Sequence, residues 1–129
     1  MKNDINDRDK EAKIIGSEYE EPDSHYINVS RSICKIRTPS QLGTGFFLKY
    51  SIDNKLFYFL MSNEHVVTDD IINNMDKINV SYDNESKHIE IILDKKERYI
   101  KTFIDIKIDA TVVQILKKDK LNKIFFLSP

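Results

Sequence analysis

From Ile27 onward, the sequence consists of short runs rich in β-branched and aromatic residues, separated by polar clusters. Apolar and polar residues alternate within several runs, as they do around Ile78, Val80 and Tyr82. Alternation gives a strand one buried and one solvent-exposed face, because successive side chains point to opposite sides. The connections are too short for the crossover helices that parallel strands need. The sequence therefore predicts an all-β fold, an antiparallel barrel or sandwich of six or seven strands.

The runs also indicate where the strands and turns lie. Asp53 and Asn54 suit a tight hairpin turn. Leu56 to Met61 is an unbroken apolar run, which predicts a strand buried on both faces. Asp69 to Met75 predicts one or two helical turns, because acidic residues are favourable at a helix N-terminus. We expect strands at residues 31–37, 43–50, 56–61, 78–82, 89–93, 99–108 and 110–116, with another beginning at 124–127.

Charge separates the N-terminal segment from the rest of the chain. Residues 1–25 carry four basic and eight acidic side chains, and their only apolar pair is Ile14-Ile15. So little apolar surface cannot form a core. We therefore expect residues 1–26 to be a mobile charged leader and residues 27–129 to form one β-domain, a common domain size.

Composition limits the compartment and the partners of this chain of 129 residues. The net charge of −1 argues against nucleic acid or an anionic membrane surface as a partner, because both attract a clear basic excess. The lone Cys34 excludes an internal disulfide framework. The first residues lack the apolar core of a secretory signal, and no run approaches the roughly 18 to 20 apolar residues of a spanning helix. We expect a soluble intracellular protein, in the cytoplasm.

Three histidines are candidates for chemistry. His25, His65 and His88 are far apart, and one Cys is the only further soft ligand, so the sequence predicts neither a metal site nor a cofactor. His25 lies at the edge of the leader, and His88 occupies a solvent-facing position of an alternating run. His65 differs because it follows the end of the 56–61 run, where a functional side chain can be held rigidly.

Three segments, taken in order, resemble the trypsin-like serine proteases, in the branch without extracellular disulfides. Residues 43–48, GTGFFL, resemble the family's Gly-x-Gly-Phe strand, in which glycines let neighbouring strands approach closely. Residues 59–67, FLMSNEHVV, resemble the strand and turn that carry the family's general-base histidine. Residues 108–115, IDATVVQI, resemble the segment in which the triad aspartate precedes Ala and an apolar strand.

The resemblance implies that His65 is a general base and that Asp109 is the carboxylate that orients it. A serine hydroxyl is a poor nucleophile near neutral pH, so an imidazole must take its proton during attack. A carboxylate on the other ring nitrogen fixes the tautomer and stabilises the imidazolium. Asp105 is a rival partner, because it lies on the same face of the predicted 99–108 strand. Asp69 and Asp70 are close to His65 in the sequence, and capping of the following helix explains them better than a contact with the histidine ring.

The nucleophile of the family has no counterpart in this sequence. It stands in a glycine-rich loop of a second barrel, whereas Gly45 is the last glycine here, and the serines after His65 have no glycine neighbour. The resemblance therefore implies that residues 27–129 are the first barrel of a chymotrypsin fold, with the second barrel absent. We expect half of a serine-type endopeptidase, inactive alone, that acts on a polypeptide substrate once it is completed.

Two other hypotheses remain open. One is a non-catalytic β-barrel module that binds an extended peptide along an exposed strand edge, since a fold does not fix a function. The other is a nucleic-acid surface formed by the basic residues of segment 95–101. Asp94 and Glu97 interrupt that segment, so an exposed charged loop explains it better.

Overall fold

The structure, a computed structural model, describes residues 30–121, 124 and 126–128. The predicted leader, residues 1–26, and His25 lie outside the described residues. Within the described part, no helix has the length and apolar character needed to cross a membrane. The strands are β1 (Ile33–Arg37), β2 (Leu42–Ile52), β3 (Lys55–Ser62), β4 (Lys77–Tyr82), β5 (Lys87–Ile92), β6 (Ile100–Thr102) and β7 (Thr111–Ile115); the helix α1 spans Asp69–Asn73.

The seven strands form one antiparallel sheet in the order β5-β4-β1-β2-β3-β7-β6. The sheet is curled into a half-barrel, which confirms the predicted all-β class. Its two edge strands, β5 and β6, follow one another in the chain, so residues 93–99 join the two edges covalently. No hydrogen-bonded ladder joins these two edge strands among the described residues.

The β2–β3 hairpin sets the register of the centre of the sheet. Asp53 and Asn54 form the predicted two-residue turn, with φ values of 52° and 65°, between the paired residues Ile52 and Lys55. Two consecutive positive φ values define a type I′ turn, whose twist matches that of the flanking strands. Eight residue pairs then follow in strict register down to Gly45 and Ser62. This register fixes where β3 ends and where the segment leading to His65 begins.

The core lies inside the curl and continues into the helix. Every second residue of the strands points inward, and the side chains with at most 1% exposure include Ile36, Phe47, Leu60, Ile78, Val80, Ile91, Leu93 and Val113. Helix α1 contributes Ile71 and Ile72 to the same cluster. Its N-cap is Thr68, whose side chain accepts a hydrogen bond from the Ile71 N–H, and two acidic residues stand in its first turn as predicted.

Two strand predictions are corrected by the structure. In β3, Leu60 and Ser62 are buried, but Leu56 and Tyr58 are exposed, so this strand is not buried on both faces. The predicted 99–108 strand is paired only over Ile100–Thr102, and a 3-10 turn, Ile104–Ile106, follows.

The early end of β6 has a local cause. The Phe103 carbonyl accepts hydrogen bonds from both the Ile106 and Ile108 N–H groups, and the Phe103 N–H donates to the Ala110 carbonyl, so the chain closes on itself. The isoleucines at 104, 106 and 108 are consequently exposed. A strand was also predicted at residues 124–127. Of this segment the structure describes residues 124, 126 and 127, and the strand pairing found there is one parallel bridge between Leu48 and Leu127.

A buried ion pair stabilises the join between the two sheet edges. Arg98, expected on an exposed loop, donates from Nη1 and Nη2 to both carboxylate oxygens of Asp119, at 2.8 and 3.0 Å, and the two side chains are 2% and 4% exposed. Arg98 Nη1 also donates to the Gln114 carbonyl, and Asp119 accepts the Leu116 N–H. The pair therefore ties the segment after β7 to the connection between β5 and β6.

Breaking this pair should destabilise the barrel strongly. Arg98→Ala leaves the Asp119 carboxylate buried without its partner, and we expect a loss of about 3–5 kcal/mol in the free energy of unfolding, measured by urea denaturation. The double variant Arg98→Met/Asp119→Leu should recover part of this loss, because it removes both buried charges.

Lys118→Ala is the matched control for the Arg98 variant. It breaks the neighbouring Lys118–Glu97 pair, whose side chains are 54% and 43% exposed, and should cost less than about 1 kcal/mol. Equal losses for Lys118→Ala and Arg98→Ala would contradict the role given to burial.

Candidate active site

His65 lies on a tight turn that follows directly on β3. The N–H groups of Val66 and Val67 donate to the Asn63 carbonyl at 3.1 and 3.0 Å, which closes the turn. Both valines are buried, with 4% and 1% exposure, and the hydroxyl of Thr111 donates to the Val67 carbonyl at 2.8 Å. The turn is thus anchored in the core behind His65, while the imidazole remains on the surface.

Strand pairing brings Asp109 to the same place. Ser62, the last residue of β3, pairs with Thr111, the first residue of β7, in an antiparallel ladder. The residues just beyond these two strand ends must therefore lie next to one another. The Asn63 side-chain amide donates to the Asp109 carbonyl at 3.2 Å, which fixes the backbone of Asp109 beside the His65 turn.

The side chains of His65 and Asp109 form a doubly bonded pair. Oδ2 of Asp109 lies 2.6 Å from Nδ1 of the His65 ring, and Oδ1 accepts the backbone N–H of the same histidine at 2.9 Å. An ionised carboxylate only accepts hydrogen bonds, so Nδ1 carries the ring proton and Nε2 is the basic nitrogen of the neutral ring. Of the two predicted carboxylates, Asp109 makes this bond; Asp105 lies in the exposed 3-10 turn.

These contacts lower the pKa of the Asp109 carboxyl. The largest cause is the His65 backbone N–H, which donates to the carboxylate; the ring of His65 and the Glu64 backbone N–H lower the pKa further, and partial desolvation opposes them. Hydrogen bonds to the charged form favour that form. Asp109 is therefore a carboxylate throughout the neutral range and remains an acceptor for the ring.

The second ring nitrogen, Nε2, is presented to solvent. The His65 side chain is 62% exposed, and no described residue forms a hydrogen bond with Nε2. Surface cavities of about 590 and 430 Å³ elsewhere on the barrel are lined by other residues. The pair thus lies on an open surface, where an imidazole with a fixed tautomer can accept a proton from an approaching group.

Two glycines let β2 pass close to the His65 turn. A Cβ atom at Gly43 would lie 2.6 Å from both methyl groups of Val66, the residue after His65. A Cβ atom at Gly45 would lie 2.9 Å from the backbone carbonyl oxygen of Met61 and 2.7 Å from a methyl group of Ile36. Both approaches are too close for any larger residue. Gly43 is therefore a packing requirement of the turn that carries His65, and Gly45 is one of the close approach of β2 to β1 and β3.

Two polar residues of the site were not predicted from the sequence. Gln41 donates from its side-chain amide to the His65 carbonyl at 2.6 Å, and Asn63 binds the Asp109 carbonyl as described above. Gln41 belongs to none of the three segments that resemble the protease family, and Asn63 lies in the segment around His65 without a role assigned to it. Asn63 could have been suspected because it stands two residues before His65, whereas Gln41 is 24 positions away and gives no local signal.

No described hydroxyl or thiol forms a hydrogen bond with His65. The hydroxyl of Ser62 donates to the Thr44 carbonyl, and that of Ser81 forms a separate cross-strand pair with exposed His88 at 2.9 Å. Cys34 is buried, and burial raises the pKa of its thiol to about 12. Among the described residues, no three His, Cys, Asp or Glu side chains are grouped as a metal site would require.

Comparisons with known proteins give no relative for this chain. No protein-family model, no curated protein and no solved structure matches it.

Adding a methyl group at Gly43 should disturb the His65 turn selectively. In Gly43→Ala, the new Cβ displaces Val66, and we expect a destabilisation of about 1–3 kcal/mol together with chemical-shift changes concentrated at residues 63–67. NMR spectra of the labelled protein and urea denaturation measure both effects. Thr44→Ala, at the exposed position between the two glycines, is the control and should leave the turn signals in place; equal changes in both variants would contradict the packing argument.

Replacing Asp109 should change the pH dependence of stability. Because the folded state lowers the pKa of Asp109, the ionised carboxylate stabilises the fold above its unfolded pKa, and this contribution is lost as the pH falls through the lowered folded value. Asp109→Asn should therefore be less stable than the parent at neutral pH, with the difference shrinking below about pH 4. Urea denaturation between neutral and acidic pH measures the difference, with Asp105→Asn as the control. A difference that stays constant as the pH falls would contradict the assignment.

Proposed function

We propose that this chain supplies the histidine and aspartate of a trypsin-like serine endopeptidase, with His65 as the general base and Asp109 as its orienting carboxylate. The observation that carries the proposal is the 2.6 Å contact between Asp109 Oδ2 and His65 Nδ1, combined with an exposed Nε2 to which no described residue forms a hydrogen bond. A carboxylate on one ring nitrogen and an open second nitrogen are what a general base requires.

The chemistry that we propose is that of the family the sequence resembles, and the geometry of the pair is compatible with it. As a serine hydroxyl attacks the carbonyl of a peptide bond, Nε2 of His65 takes the hydroxyl proton, and the ring becomes an imidazolium. Asp109 stabilises that cation through Nδ1–H without itself becoming protonated. The imidazolium then returns the proton to the amine that leaves, and a water molecule repeats the cycle to release the acyl group.

A purely structural role explains the pair less well. The side chains of His65 and Asp109 are 62% and 49% exposed, and exposed ion pairs contribute little to stability. Yet hydrogen bonds fix the His65 ring, its N–H and carbonyl groups, and the Asp109 carbonyl. The two side chains are not part of the hydrophobic core, yet several hydrogen bonds hold them in place. This favours a role in which the orientation of the His65 ring matters.

The nucleophile in this proposal comes from polypeptide outside the described residues. The pair lies on an open surface, so a second surface that brings a serine hydroxyl to Nε2 and backbone N–H donors to the developing oxyanion has room to approach. The substrate is a polypeptide. Without that second surface we expect the 129-residue chain to be inactive, because a general base has little to activate in the absence of the serine.

A peptide-binding module without catalysis is the second candidate, and the edge of β5 favours it. The Leu93 N–H donates to the Asp76 carbonyl at 3.0 Å, which continues the β4–β5 register by one pair. Backbone groups alternate in direction along an antiparallel strand, so those of His88 and Glu90 point away from β4. They make no hydrogen bond to another described residue, which leaves an edge to which an extended peptide could add.

Variants of the longest natural form of the protein distinguish the two functions. The measurements are hydrolysis of an unfolded protein such as casein and labelling by a fluorophosphonate serine probe. We expect labelling and hydrolysis only when a serine-bearing segment or chain is present, and a loss of roughly 10⁴-fold or more in hydrolysis for His65→Ala and Asp109→Asn.

His88→Ala is the matched control, since it removes another exposed histidine that contacts a serine. It should hydrolyse casein as the parent does. Hydrolysis that survives in His65→Ala would sink the peptidase proposal, and so would labelling of the isolated 129-residue chain. Absence of hydrolysis in every natural form, together with peptide binding lost on changes at the β5 edge, would favour the binding module.

A further inference from the structure

Gln41 makes the shortest contact to the backbone of His65. Its Nε2 donates to the His65 carbonyl at 2.6 Å, from a segment 24 positions earlier in the chain. A backbone carbonyl can only accept a hydrogen bond, so the amide end of Gln41 must face it. Two residues later, at the start of β2, Gly43 packs against Val66. The Gln41 and Gly43 contacts together hold the turn that carries the imidazole.

The Gln41 side chain is presented by a rigid turn. Thr38, which is 7% exposed, donates its N–H to the Gln41 carbonyl at 2.8 Å, while its hydroxyl oxygen accepts the N–H groups of Ser40 and Gln41. Pro39 fixes φ at the second position of this turn. The backbone of Gln41 is thus held at both its N–H and its carbonyl, which limits the positions its amide can take.

We propose that Gln41 is a positioning residue for the His65–Asp109 pair, and that its amide holds the His65 carbonyl so that the backbone N–H and ring of His65 stay directed at the two Asp109 oxygens. The carbonyl, N–H and ring of one residue are linked by few torsions, so fixing the first restricts the other two. Asn63 does the same for the Asp109 carbonyl. Each member of the pair then has its own amide anchor.

This inference rests on the proposed function only for its consequence in catalysis. A base that must meet a hydroxyl within hydrogen-bond distance loses efficiency when its orientation varies. In a complete enzyme, loss of Gln41 should lower kcat more than it raises KM, because the contact acts on the orientation of the base. The positioning itself is measured on the 129-residue chain without any activity.

NMR of the ¹⁵N-labelled 129-residue chain at constant neutral pH tests the proposal. The His65 Nδ1–H should give a strongly downfield proton signal, as expected for a 2.6 Å bond to a carboxylate, assigned by its loss in His65→Ala. In Gln41→Met, which keeps the side-chain length but removes the donor, we expect this signal to broaden or disappear. The His65 backbone N–H should exchange roughly fivefold to tenfold faster, the size of one lost hydrogen bond. Gln41→Glu should have at least as large an effect, because a carboxylate oxygen would face the carbonyl oxygen.

Ser40→Ala is the control, because the Ser40 side chain lies on the same turn and makes no hydrogen bond to another described residue. Exchange of the Leu60 and Val113 amides in the core reports whether each variant remains folded. Unchanged His65 signals in Gln41→Met would overturn the proposal, and so would equal changes in Ser40→Ala. If the complete enzyme works without His65, the proposed function fails while the NMR result on Gln41 stands; if Gln41→Met leaves His65 unmoved, only the positioning role fails.

Discussion

The pairing of Ser62 with Thr111 is the constraint on which the site depends. It aligns the end of β3 with the start of β7, so that His65 and Asp109, which lie beyond these two strand ends, meet at one end of the sheet. A slip of one residue would turn every side chain of β7 to the opposite face and bury the polar side chain of Gln114 in the core. Because the core side chains Leu60 and Val113 sit on the same two strands, the packing that stabilises the barrel also sets the distance between imidazole and carboxylate.

The groups that stabilise the fold and the candidate catalytic pair lie in different parts of the molecule. The core and the buried pair of Arg98 and Asp119 hold the curled sheet together, and both lie away from solvent. His65 and Asp109 lie on the surface and contribute little to folding. Three contacts nevertheless restrict the histidine: the turn closed by the Asn63 carbonyl, the packing of Gly43 against Val66, and the Gln41 amide on the His65 carbonyl. Pre-organisation of an exposed group by a rigid frame is the arrangement that catalysis favours.

Local patterns predicted most of the strands, and the resemblance to trypsin-like proteases singled out His65 and Asp109. Period-two alternation identified β4 and β5, and the Asp53-Asn54 pair indicated the turn between β2 and β3. The motifs around His65 and Asp109-Ala110 singled out two residues, and in the structure Nδ1 of His65 lies 2.6 Å from Oδ2 of Asp109. Whether they act as a catalytic pair remains a prediction. The strand and turn predictions share one cause, since each rests on sequence neighbours that act together.

The errors and omissions have a different cause. The alternating isoleucines after Phe103 look like a strand, but backbone hydrogen bonds of a tight turn override the pattern. Arg98 looked like a surface charge because its partner, Asp119, is 21 positions away, and the contact of Gln41 with His65 spans 24. Such contacts exist only once the sheet has formed. In each case the two partners are too far apart in the sequence for a local pattern to reveal the contact.

The central claim is that Nε2 of His65 is the nitrogen that handles the proton during peptide hydrolysis. Treating the longest active natural form with a peptidyl chloromethyl ketone tests this most directly, because the reagent binds as a substrate does and alkylates the general-base imidazole. Mass spectrometry of the digested protein should find one equivalent of label on His65, and prior occupation of the site by a reversible inhibitor should prevent labelling. Inactivation with the label on another histidine, such as His88, or with His65 unmodified, would contradict the account.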